Sequence, residues 1–169
     1  GCAAVLAIST AFCLASPADA SVKVKTRTTN YNISGKNGEA LLDAMDRRGP
    51  KHGFLTRAIA QTSYTVSWDI DWRERGRGCL IADAAATLSI TYNYPAVSTT
   101  LSGDMKRRWQ RFMAGVRRHE ETHGRIAREM VKVAEKGLTG LSSSNDPGCR
   151  RTQAEVKRLN SELRKKTVA

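Results

Sequence analysis

Histidine, acidic residues and long apolar runs are all scarce in this sequence. Three histidines among 169 residues leave few candidates for imidazole chemistry, so a pair of them at ligand spacing carries weight. Sixteen Asp plus Glu stand against 28 Lys plus Arg, for a formal net charge of +12. That balance favours anionic partners such as lipid headgroups, acidic envelope polymers or nucleic acid, without choosing among them. No segment beyond residue 20 approaches a membrane span. Internal repeats and long low-complexity tracts are absent, which excludes a stacked-repeat architecture. What remains, 40% hydrophobic and 26% charged, suits one globular domain with a sizeable core.

The single apolar run is GCAAVLAISTAFCLASPADA, residues 1–20. It holds no Lys or Arg and closes on Pro17 and the small-x-small triplet Ala18-Asp19-Ala20. That is the hydrophobic region and cleavage site of a secretory signal peptide, here without its basic leading region. Cleavage is expected before Ser21, leaving residues 21–169 as one secreted or periplasmic domain with no stable membrane anchor. Removal takes Cys2 and Cys13 away and leaves Cys79 and Cys149. Two remaining cysteines in an exported protein suggest one disulfide. It would close a loop of about 70 residues, worth ~4 kcal/mol in the chain-entropy account.

SVKVKTRTTNYNIS (21–34) alternates apolar or β-branched residues with basic ones and fits a strand at a sheet edge. GKNGEALLDAMDRRGP (35–50) predicts a short helix that stops at Gly49-Pro50. QTSYTVSWDIDW (61–72) puts Thr62, Tyr64, Val66, Trp68, Ile70 and Trp72 on one face of a strand. RERGRG (73–78) is a turn, with Arg73, Arg75 and Arg77 read as a solvated tip. CLIADAAATLSITYNYP (79–95) then alternates with Leu80, Ala82, Ala84, Ala86, Leu88 and Ile90 on one side. The two runs predict an antiparallel hairpin, and the small alanines would let a helix approach closely. Helical patterns follow over 104–138 and 147–166. Strands first and long helices later predict an α+β fold, a small antiparallel sheet with both helices packed on it.

The longer helix carries HEETH. Met105, Trp109, Phe112, Val116, His119, His123, Ile126, Met130 and Val133 recur at spacings of four and three. The spacing predicts that this stripe is the buried face and that both histidines lie on it. Arg107, Arg111, Arg118, Arg125 and Lys132 fall opposite, and Glu120 stands beside the histidines in line with Met113 and Ala127. Two imidazoles one helical turn apart are what a tetrahedral zinc ion accepts, and the intervening Glu can serve as general base. The competing readings are two satisfied core histidines and a metal site without catalysis.

The third ligand is not evident. The metzincin pattern needs a glycine three residues and a histidine six residues after His123, where this chain has Ile126 and Glu129. Glu155 and Glu162 on the last helix, and His52 in a Gly-Pro loop, are the remaining candidates. Both glutamates also read as surface residues paired with nearby Lys or Arg. Gly115 and Gly124 each cost about 1 kcal/mol in a helix interior, which suggests close approach of a neighbouring element.

The order of these motifs resembles the bacterial family catalogued as domain of unknown function 922, described as predicted secreted zinc-dependent proteases. The resemblance runs through YNISG, the GP loop, QTSYTVSW, the strand from Cys79 to YP, WQRFMAGVRRHEETH and the last helix opened by Cys149. It implies a zincin-like fold with His119 and His123 as zinc ligands, Glu120 as catalytic acid/base, and Cys79 paired with Cys149. It also implies a tail with Tyr-Asp and Thr-x-His-Gly as a further source of the third ligand; the sequence here closes on RKKTVA.

The expected function is therefore an exported zinc metallopeptidase acting on peptides or proteins, cell-envelope peptides included. The alternative is a non-catalytic module, metal-binding or not, that holds anionic envelope components. Nucleic acid is not expected as a partner, because export removes it and the aromatics sit on buried strand faces.

Overall fold

The structure of the chain, a computed structural model, describes residues 22–52 and 56–165. Residues 1–20, which carry the signal-peptide expectation, lie outside the described residues. The chain runs β1 (Lys23–Ile33), α1 (Gly38–Arg48), β2 (Lys51–His52), β3 (Thr56–Arg57), β4 (Gln61–Arg75) and β5 (Gly78–Val97). It continues through α2 (Gly103–Leu138), β6 (Ser142–Ser143), a 3-10 turn at Pro147–Cys149 and α3 (Arg150–Lys165). This is the α+β arrangement the sequence predicts.

β4 and β5 form the expected antiparallel hairpin, with Thr62 opposite Tyr92 and Trp68 opposite Ala86. β1 joins the far side of β5 in parallel, Val24 beside Leu88, so the sheet is mixed and not purely antiparallel. The order is β1-β5-β4, with the short β6 paired to the start of β5. β1 is an edge strand, as its alternating Lys23, Lys25 and Arg27 predict; exposed charges discourage pairing with another chain.

Alternation in β4 holds throughout. Thr62, Tyr64, Val66, Trp68, Ile70 and Trp72 are half-buried, while Ser63, Thr65, Ser67, Asp69 and Asp71 are exposed. In β5 it breaks once: Asp71 pairs with Asp83 but Trp72 with Ile81, which leaves Ala82 as the extra residue of a bulge. A one-residue insertion inverts the faces, so Cys79 and Ile81 enter the core where Leu80 and Ala82 were expected. Arg73, Arg75 and Arg77 at the hairpin tip are exposed, as expected.

α2 begins at Ser102, whose hydroxyl accepts from the Met105 N–H. Its 36 residues run the length of the sheet. Ala127 and Val131 pack on Ala86, Leu88 and Ile90, so the alanines of β5 do admit a helix. At its far end Leu138 meets Ile81 and Ala84, joined by Val156 and Leu159 of α3. At its start Met105 and Trp109 cover Ile33, Leu41 and Met45, which brings α1 into the same core. A disulfide joins Cys79 to Cys149, with Cα atoms 5.1 Å apart. Among the described residues no helix is long and apolar enough to cross a membrane.

Candidate active site

α2 supplies the candidate residues and the sheet fixes its rotation. The face turned inward is Met113, Glu120, Gly124, Ala127, Val131, Glu135 and Leu138. That corrects one sequence expectation, since Glu120 is buried while His119 and His123 are exposed. The stripe of large hydrophobes is a contact face only in part: Met105, Trp109 and Val116 pack on the core, but Phe112, Ile126 and Val133 are 39%, 51% and 71% exposed. The physical reason is distance of approach. A helix that lies on the Tyr92 row needs small residues there, and a Cβ on Gly124 would sit 1.9 Å from the Tyr92 hydroxyl. Gly115, by contrast, faces nothing within 4 Å.

The buried carboxylate has a partner on the edge strand. The Thr62 hydroxyl donates to Glu120 Oε2 at 2.5 Å and also lies 3.1 Å from the Glu120 carbonyl oxygen. On the other flank of α2, Gln110 and Arg117 border a groove of about 440 Å³ with Asn30 of β1. At 100° per residue the two histidines therefore project on the β4 side of the helix. Their rings meet edge to face with centroids 4.7 Å apart, and the two Nε2 atoms are separated by 3.1 Å.

A single metal can use that convergence. Two nitrogens bound to one tetrahedral zinc at ~2.05 Å stand ~3.3 Å apart, close to the separation seen. The observed pair is thus spaced as half of a ligand set; without a metal the same 3.1 Å is a hydrogen bond between the two exposed rings.

The remaining ligand candidates are not gathered there. Glu155 and Glu162 are both engaged by Arg158, at 2.5 Å and 2.6 Å respectively, as the surface reading of these residues expected. Arg158 holds the Glu155 carboxyl below its ordinary range. The side chain of His52 is outside those described. Among the described residues, no group of three or more His, Cys, Asp or Glu is placed to hold a metal.

Thr62 and Tyr92 were not singled out by sequence reasoning. Tyr92 stacks on Tyr94 at 6.0 Å, and the Arg117 guanidinium covers the Tyr94 ring at 4.6 Å. Burial pushes the Tyr94 hydroxyl up to about 12 against the opposing charge of Arg117. Tyr92 is raised as well, first by burial and then by Glu121 and Glu120, with Arg128 opposing. Both phenols stay protonated at neutral pH, so Tyr92 can only donate or accept a neutral hydrogen bond beside the carboxylate. The one sequence signal for Thr62 was its place on the inward face of β4.

No curated protein and no solved structure matches the chain. A family model does match, over residues 28–169, which takes in β1 from Thr28 onward, HEETH and both cysteines of the disulfide. The chain belongs to the family described as bacterial protein of unknown function (DUF922).

Proposed function

We propose that this protein is an exported zinc-dependent metallopeptidase, secreted or periplasmic, in which His119 and His123 are two of the metal ligands. The observation that carries the reading is the convergence of the two Nε2 atoms at 3.1 Å on the helix that also carries the buried Glu120. A zinc ion held there would supply Lewis acidity and lower the pKa of a water toward neutrality. Glu120 takes a proton from the attacking water and returns it to the departing amine. Thr62 holds one carboxylate oxygen, so the other is left to receive that proton. The Cys79–Cys149 disulfide supports an oxidising compartment.

Two measurements test this. Purified wild-type protein should contain stoichiometric zinc, and His119→Ala should lose it. Glu120→Ala should keep the metal and abolish cleavage of casein or of a peptide library. Wild type without zinc, or a Glu120→Ala variant that still cleaves, would sink the reading.

A second reading is a non-catalytic module for anionic envelope polymers. It is favoured by the +12 charge and by the lack of a third ligand among the described residues. It predicts binding that weakens with salt and is indifferent to Glu120→Ala.

A further inference from the structure

Three of the four large hydrophobic side chains left exposed among the described residues lie on one face of one helix. Phe112, Ile126 and Val133 share the stripe of His119 and His123, and Leu42 is the fourth. By helical rise, Ile126 stands ~5 Å beyond His123 and Phe112 ~10 Å before His119. Phe112 and Ile126 stand ~21 Å apart along the helix with the exposed histidine pair between them, so the file is interrupted by the two imidazoles and is not one continuous apolar patch.

The charges beside the stripe narrow what it contacts. Arg111, Arg118 and Arg125 are exposed, spaced seven residues apart, and form a second file on the solvent side of α2. None of the three takes part in a salt bridge among the described residues; Arg125 donates only to the Thr122 hydroxyl. A row of guanidinium groups without carboxylate partners, next to an apolar file, complements a chain that carries large apolar side chains and carboxylates together.

We infer that the substrate of the proposed site is an acidic polypeptide with large apolar residues around the scissile bond. Ile126 and Phe112 receive the apolar side chains, and Arg111, Arg118 and Arg125 receive the acidic ones. This inference rests on the peptidase reading for the word substrate, but the surface it names is testable by binding alone.

The test uses full-length Glu120→Gln protein, with and without added zinc, so that peptides bind without being cut, and reads fluorescence anisotropy. The probes are a labelled peptide with a Phe-Leu-Ile centre and Glu flanks, a copy with a serine centre, and a copy with Lys flanks. The first should bind at least tenfold more tightly than either control, and its affinity should fall with salt. Adding Ile126→Ser should remove the advantage over the serine copy, and adding Arg118→Glu should remove the advantage over the lysine copy. Both positions are exposed, so circular dichroism should be unchanged and loss of binding would not be loss of fold.

Equal binding of the three peptides overturns the inference. So does a dimer in size-exclusion chromatography that Ile126→Ser converts to monomer, since the face would then belong to a second copy. The two proposals fail separately. Selective binding by a wild type that cleaves nothing removes the peptidase reading alone, whereas cleavage without apolar or acidic preference removes this inference alone.

Discussion

The hydroxyl of Thr62 on β4 reaches Oε2 of Glu120 on α2 at 2.5 Å, linking the free edge of the sheet to the candidate general base. Thr62→Val keeps the shape and removes the donor, leaving a 7%-exposed carboxylate one hydrogen bond short. Such a loss costs about 1–3 kcal/mol, readable as a lower urea midpoint. Turnover should fall more than KM rises, because the carboxylate loses its orientation. Thr62→Ser should restore both. A Thr62→Val protein with unchanged kcat would show that the contact is only structural.

Gly124 and Tyr92 set how closely α2 lies on the sheet. Gly124→Ala would gain about 1 kcal/mol of helix propensity, yet its methyl would meet the Tyr92 oxygen at 1.9 Å. Overpacking of this kind typically costs about 1–3 kcal/mol, so a net loss is expected. Adding Tyr92→Phe removes the closest atom and leaves the ring carbon at 3.0 Å. The double variant should therefore recover part of the loss in thermal denaturation. Additive effects of the two changes would contradict the contact.

Glu135 is buried at 2% exposure, with Oε1 accepting from the Ala86 N–H at 2.8 Å and Oε2 without a partner among the described residues. Ala86 lies just beyond the reach of β1, whose pairing to β5 begins at Thr87, so the side chain substitutes for a missing strand neighbour. Glu135→Ala strips the acceptor from a buried N–H, at about 1–3 kcal/mol. Glu135→Gln retains an acceptor oxygen and should lose distinctly less. Amide exchange at Ala86, faster in the alanine variant than in the glutamine one, is the direct check.

Asp146 gives a pH signature. Burial pushes its carboxyl up, but the Thr152 hydroxyl, the Arg151 and Thr152 N–H groups and the Arg151 charge together hold it below its ordinary 3.8. A carboxyl depressed in the folded state stabilises above its unfolded value and ceases to do so as pH falls through the folded one. The Tm gap between wild type and Asp146→Ala should therefore be wide near neutral pH and close below pH ~4. A gap that persists in acid would assign the effect to packing instead of charge.

What the sequence makes legible here are the features with a long period. β4 alternates over its whole inward face, and the helical pattern read over 104–138 matches α2 at Gly103–Leu138 to within a residue. The pairing of Cys79 with Cys149 follows once the first twenty residues are set aside. The rotation of α2 is not legible, because counting large hydrophobes points the Phe112–Ile126 file inward. Close packing against Tyr92 selects Gly124 and Ala127 instead, and two glutamates are admitted because Thr62 and Ala86 meet them. Those partners lie 58 and 49 residues away, beyond any local pattern. The same holds for the bulge at Ala82 and for the parallel direction of β1, both fixed by neighbours that a single run of sequence does not name.

The Cys79–Cys149 bond also bears on what a broken chain would do. It staples the opening of the central strand to the opening of the last helix, on either side of the exposed Ser144 and Asn145. A nick between those two residues would yield two polypeptides that stay one molecule until a reductant is added. Such a nick would therefore neither release α3 nor uncover Leu138 and Ile81 beneath it.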